Sequence, residues 1–82
     1  MIGSLSRLDF GASLRLARKG VGLTMGDVAE RAGLQVLEVS ELERGRSSHG
    51  VARYVEALGV SQVDRGLLLS AANLAWGPGG PG

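Results

Sequence analysis

Apolar residues recur at helical spacing along almost the whole chain, and no strand-like alternation interrupts them. Phe10, Leu14, Ala17 and Val21 stand four, three and four apart, which places them on one face of a helix over about residues 9–19. Gly20 and Gly22 break that helix. Thr24 is a good N-cap and Asp27 stands three positions on, as in a capping box, so a second helix runs over 24–32 with Val28, Ala29 and Ala32 inward. Gly33 suits the left-handed conformation that ends a helix. A third helix over 35–44 turns Val39 and Leu42 inward behind Leu34, and Gly45 stops it. Ser47 or Ser48 can cap a fourth over 48–58, with Val51, Tyr54, Val55 and Leu58 inward, and Gly59 stops that one. Ser61 with Asp64 is a second capping pair and opens a fifth helix over 61–75. Residues 1–8 read as an arm, and the Gly- and Pro-rich residues 76–82 as a flexible tail. The expected fold class is all-α, a compact bundle of about five short helices, with the domain at 9–75.

The fifth helix carries two apolar stripes. Val63, Leu67, Ala71 and Leu74 form one; Leu68, Ala72 and Ala75, with Trp76 close by, form the other. One stripe suffices for a core. The first is expected to face it, and Leu68, Ala72, Ala75 and Trp76 to form the seam of a homodimer, unless the helix is simply buried deeply or Trp76 folds back over it.

Composition narrows the function. At 82 residues the chain is one domain with a thin margin of stability. Hydrophobic residues make up 44%, enough for a packed core, but with one Phe, one Tyr and one Trp that core must be aliphatic. Nine Lys and Arg against eight Asp and Glu leave a net charge of +1, so any surface for nucleic acid must come from local clustering. Two clusters exist, Arg44-Gly45-Arg46 and Arg15, Arg18, Lys19. The absence of Cys excludes disulfides and thiolate metal sites, and a single His, His49, argues against zinc. No metal or cofactor is expected. The first five residues lack the pattern of a signal peptide, and Leu67-Leu68-Leu69 is far too short an apolar run for a membrane span, so a soluble cytoplasmic protein is expected.

The chemistry lies in the second and third helices. Two short helices joined only through Gly33-Leu34 make a tight angle, which is the helix-turn-helix signal. The stretch from Leu23 through Thr24-Met25-Gly26-Asp27-Val28-Ala29-Glu30-Arg31-Ala32-Gly33 to Leu34 resembles the second helix and turn of the lambda-repressor-like, Cro-type (XRE) family. Val39-Ser40-Glu41-Leu42-Glu43-Arg44-Gly45 resembles the end of its recognition helix, and Ala57-Leu58-Gly59-Val60 the close of its fourth helix. The resemblance runs from about Phe10 to Leu69. It implies a DNA-binding regulator whose third helix lies in the major groove while the second crosses the backbone. It implies that Arg18 and Glu43 form a structural salt bridge between the first and third helices. It also implies that Ala29, Gly33, Val39 and Leu42 form the core of the two-helix unit. Met25 stands at the family's backbone-contacting start of helix two, and Gln35, Val36, Leu37 and Glu41 at groove-facing positions. Arg44, Arg46, Ser47 and Ser48 are candidates to grip phosphates.

The chain departs from its relatives at the groove. Those positions usually hold side chains that hydrogen-bond to base edges. Val36 and Leu37 can touch thymine methyls alone, Glu38 and Glu41 are repelled by phosphate, Met25 cannot donate to it, and Gln35 is the one conventional reader. The loop after the third helix is also shorter than usual, with Ser47 where Pro is common. Sequence preference would then come from apolar contacts, shape and deformability. The rival is an adaptor that keeps the fold and turns Met25, Val36, Leu37, Glu38 and Glu41 toward a protein partner; an antitoxin-like or phage-encoded adaptor would do both. Partial burial of Val36 and Leu37 against Met25 would be the bland alternative. Arg15 and Lys19 read as a solvated face.

Two other motifs carry nothing. Gly20-Val21-Gly22 with Gly26 follows a helix rather than the strand a dinucleotide loop needs. Ser47-Ser48-His49 at a helix start has no oriented acid or oxyanion donor, so catalysis is not expected. The expected function is a sequence-specific regulator, a repressor, binding double-stranded DNA as a homodimer, since such proteins read paired half-sites by two-fold symmetry. No sensor or effector segment is legible, which leaves control to concentration, a partner or proteolysis.

Overall fold

The computed structural model describes residues 6–77, and these form five α-helices with no strand among them. The first, α1 (Arg7–Gly20), starts two residues before the point the apolar spacing marks. Ser6 is the cause: its Oγ accepts the Asp9 N–H at 3.0 Å, which caps the helix ahead of its first buried residue, Phe10. Arg7 and Leu8 therefore belong to α1 rather than to an arm; residues 1–5 of that arm lie outside the described residues. At the other end Val21 is exposed and closes the helix, so it does not join the core face with Phe10, Leu14 and Ala17.

Helices α2 (Met25–Ala32) and α3 (Val36–Glu43) make the tight corner. Thr24 and Asp27 form a reciprocal capping box: Thr24 Oγ1 accepts the Asp27 N–H at 3.0 Å, and the Asp27 carboxylate accepts the Thr24 N–H at 2.9 Å. That second bond holds the Asp27 carboxyl below the usual carboxylate range. Gly33, at φ 69°, turns the chain, and Leu34 N–H returns to Ala29 O at 2.9 Å. Gln35 is the residue before α3 rather than its first turn.

Helix α4 (Val51–Leu58) corrects the sequence boundary. Neither Ser47 nor Ser48 is its cap. Gly50, at φ 86°, takes that position without a side-chain bond, and a Cβ there would stand 3.0 Å from Leu34 Cδ2. Ser47 Oγ instead accepts the His49 N–H at 3.0 Å and shapes the loop. Helix α5 (Gln62–Trp76) is capped by Ser61, whose Oγ accepts the Asp64 N–H at 3.2 Å. It runs through Trp76, so that residue is not part of a tail. The Arg7 guanidinium lies 4.2 Å above the Trp76 ring and joins the start of α1 to the end of α5. Residues 78–82 of the tail lie outside the described residues.

The rotation of α5 reverses the expected use of its two stripes. Ala72 is fully buried, and Leu68, Ala75 and Trp76 pack against the core. Val63, Leu67 and Leu74 are the exposed ones, at 72%, 64% and 63%. Ala72, on the inward side, is buried in the core, and Arg65, on the same side, pairs with Glu56 of α4. Leu68, Ala72, Ala75 and Trp76 are thus core residues of this fold, not an outward seam.

Helix α1 packs on α3 and α5, α2 on α3 and α4, and α4 on α5, around Phe10, Leu14, Val28, Val39, Leu42, Val51, Tyr54 and Val55. Each aliphatic burial contributes about 1.5–3 kcal/mol. The backbones of α1 and the end of α3 pass close together at two glycines. A Cβ on Gly11 would lie 2.4 Å from Glu43 O, and one on Gly45, at φ 73°, 2.5 Å from Arg7 O. Gly45→Ala is expected to cost about 2–4 kcal/mol by strain and clash. Gly66→Ala, in open space within α5, is expected to add about 1 kcal/mol. Thermal melts of the two variants check both signs, with roughly 4–8 °C per kcal/mol for a domain of this size.

Candidate nucleic-acid interface

Helix α3 presents two unlike faces. Val39, Leu42 and Glu43 are buried, which turns Val36, Leu37, Ser40, Glu41 and Arg44 away from the core. Val36 is 51% exposed and Leu37 67%, so neither is buried against Met25; Met25 itself is half-buried and packs on the core. Ser40 was not singled out in the sequence. Its position four residues after Val36 is the signal that places it on the same outward face.

A buried ionic network holds α3 in this rotation. Arg18 Nε donates to Glu43 Oε2 at 2.7 Å and Nη2 to Glu43 Oε1 at 3.1 Å, a bidentate pair. Nη1 donates to Leu23 O at 3.0 Å. The hydroxyl of Tyr54 donates to Glu43 Oε2, with Leu14 O 3.2 Å away. Helices α1, α3 and α4 are thereby tied at one carboxylate. The bond to Glu43 holds the Arg18 guanidinium above its ordinary range. Burial, and next the bond to Glu43, push the Tyr54 phenol well above its ordinary value. Tyr54 was legible in the sequence as a core residue; its hydroxyl's role was not, because no spacing links it to Glu43.

The acidic residues near the outward face are engaged locally. Glu38 accepts the Gln35 N–H at 2.8 Å and lies 3.8 Å from His49 Nε2. Glu41 lies 3.8 Å from Arg46 Nη1. These exposed pairs add little stability, but they place the Arg46 guanidinium against Glu41 and the His49 imidazole against Glu38 beside the apolar face. Gln35 is exposed at the corner, and Ser47 and Ser48 sit half-buried in the loop behind Arg46.

Behind this face a polar recess of about 300 Å³ opens where three helices meet, lined by Arg15, Arg18, Met25, Ser40, Glu43 and Arg44. It brings Arg15, read from the sequence as a solvated position, beside Arg44. Among the described residues no three His, Asp or Glu side chains gather so as to hold a metal, and no helix is long and apolar enough to cross a membrane.

The corner of α2 and α3, buried on one side and open on the other, defines a class of protein. A family model described as a helix-turn-helix domain matches residues 9–68, and the chain belongs to that family. The match spans α1 to α4 and the first half of α5. Comparison with curated proteins and with solved structures gave no match.

The network yields a pH prediction. Because the folded state raises the phenol above its ordinary value of 10.0, the stability it contributes is complete below that value and is lost as pH rises beyond it. Tyr54 is the sole tyrosine, so phenolate absorbance reports it alone. Phenolate should form only together with the loss of helical circular dichroism, above pH 10. Ionisation near pH 10 in a folded chain would contradict the network. Glu43→Gln, which leaves Arg18 unpaired, is expected to cost about 3–5 kcal/mol in a denaturant melt.

Proposed function

We propose that the protein is a sequence-specific transcriptional regulator, a repressor, that binds double-stranded DNA as a homodimer with α3 in the major groove. The observation that carries this is the outward face of α3. Within a helix-turn-helix domain, Val36 and Leu37 stand exposed at its first turn with no intramolecular use. In the major groove these two meet thymine C5-methyl groups, with Gln35 at the corner as the hydrogen-bonding reader. Shape and deformability of the site supply further preference. Arg44, and Arg46 once it leaves Glu41, meet the phosphates with Ser47 and Ser48 behind them. The protein works without catalysis or cofactor and in the cytoplasm. Repression follows from occupancy: a bound dimer excludes other proteins from the same stretch of DNA.

The second copy sits on the exposed side of α5. Val63, Leu67 and Leu74 give an apolar face beside the groove of about 380 Å³ that Ala17, Val21 and Leu68 line between α1 and α5. Leu67→Lys is expected to shift the chain to monomer in sedimentation while leaving its melt nearly unchanged. An unaltered dimer would place the seam elsewhere.

A specific feature also favours the rival adaptor. The apolar pair Val36 and Leu37 flanked by Glu38 and Glu41 is a surface that a basic, apolar protein partner could cover. Selection from random duplex DNA with the purified chain separates the two. The regulator enriches a palindromic site, and Leu37→Ser changes the preferred base at one position of each half-site without changing the salt slope. A folded sample that enriches nothing and binds no duplex at low salt belongs to the adaptor.

A further inference from the structure

We propose that Arg15 of α1 and Arg44 at the end of α3 form a seat for one backbone phosphate of duplex DNA, in the recess beside Met25. This seat presupposes that the chain binds DNA, and adds to that binding a residue outside the two-helix unit. Arg18, Arg46 and Arg65 each have a carboxylate partner. Arg15 and Arg44 have no ion-pair partner among the described residues, yet they border one recess of about 300 Å³. Glu43, which also lines it, is already engaged and makes no ion pair with either: its oxygens accept two bonds from Arg18 and one from the Tyr54 hydroxyl. With Arg18 and Glu43 cancelling, the recess keeps the two positive charges of Arg15 and Arg44.

Two guanidinium groups bordering one hollow repel each other. An anion between them turns that repulsion into attraction. The planar guanidinium fork matches the oxygens of a phosphodiester, and the Ser40 hydroxyl on the same wall is a neutral donor. The position fits the path of a DNA strand. Ser40 and Arg44 follow Val36 at intervals of four on the outward face of α3, so when Val36 enters the major groove the recess meets the strand that borders it. Met25, at the start of α2, has no polar side-chain hydrogen to give a phosphate. Arg15 supplies from the neighbouring helix the charge that this position lacks.

The test uses the full chain and the duplex that it selects, read by fluorescence anisotropy across salt concentrations. Arg15→Gln and Arg44→Gln should each weaken binding roughly tenfold on every sequence. Each should also lower the slope of log K against log salt by about one. Lys19→Gln, on the same helix but outside the recess, should keep the wild-type affinity to within about twofold. Replacing single phosphates with neutral methylphosphonates should reveal one position per half-site that weakens the wild type by more than either single variant does. Arg15→Gln should lose less there than the wild type, by about its own tenfold factor, the signature of a shared contact. Arg15 is exposed, and circular dichroism melts confirm that the variant folds. If Arg15→Gln matches the wild type in affinity and slope, or no phosphate position is coupled to it, the seat is refuted while DNA binding stands. If the folded wild type binds no duplex, the seat and the regulatory function fall together.

Discussion

The Glu43 carboxylate is the point on which three helices are hung. A charge this deep in an 82-residue domain is tolerable only because Arg18 meets it through two nitrogens and Tyr54 through a hydroxyl. Aliphatic packing around Phe10, Leu14, Val39 and Leu42 is favourable but not directional; side chains of that kind tolerate sliding and rotation. The hydrogen bonds are directional. A turn of α3 by one position would pull Glu43 from Arg18 and leave two buried charges unpaired. The network therefore decides which side of α3 looks outward, and Val36, Leu37 and Arg44 face solvent as a consequence, with Ser40 half-buried at the recess.

That outward face is unusual in its chemistry, and the surroundings compensate for it. Glu38 and Glu41 would repel a phosphate backbone if they stood alone, but Glu41 lies against the Arg46 guanidinium, and Glu38 accepts the Gln35 N–H and lies beside the His49 imidazole. Arg15 and Arg44 are among the cations with no carboxylate partner among the described residues, and they border one recess set back from Val36 and Leu37. In the proposed regulator such a division would separate the two tasks of a DNA surface: neutralising the backbone and reading the bases. A net charge of +1 is then no obstacle, because what matters is where the unpaired cations stand.

Much of the fold was legible because its signals are local. Thr24 with Asp27 and Ser61 with Asp64 are capping pairs whose geometry is contained in four residues, and Gly33 and Gly59 end helices for reasons internal to the backbone. Other features depend on tertiary context. The loop before α4 holds two serines that look like caps, yet Gly50 serves because the chain must pass close to Leu34. The rotation of α5 was undecidable from two apolar stripes of equal quality; packing of Leu68, Ala72, Ala75 and Trp76 against the other helices is what the folded chain uses. In the candidate site, Arg18 and Glu43 could be carried over from a family pattern, whereas Arg15 could not. Its position on an outer face of α1 gives no hint that α3 brings Arg44 alongside. Trp76 read as tail because Gly and Pro follow it, but the Arg7 guanidinium and the core hold it in α5.

The central claim, that the outward face of α3 is the surface that meets DNA, is tested most directly by following backbone amide chemical shifts of the labelled chain as duplex DNA is added. The account predicts the largest changes at Gln35, Val36, Leu37, Ser40 and Arg44, with Met25 and Arg15 next and the exposed side of α5 unmoved. Changes centred on Val63, Leu67 and Leu74 with α3 silent, or none at all, would contradict it.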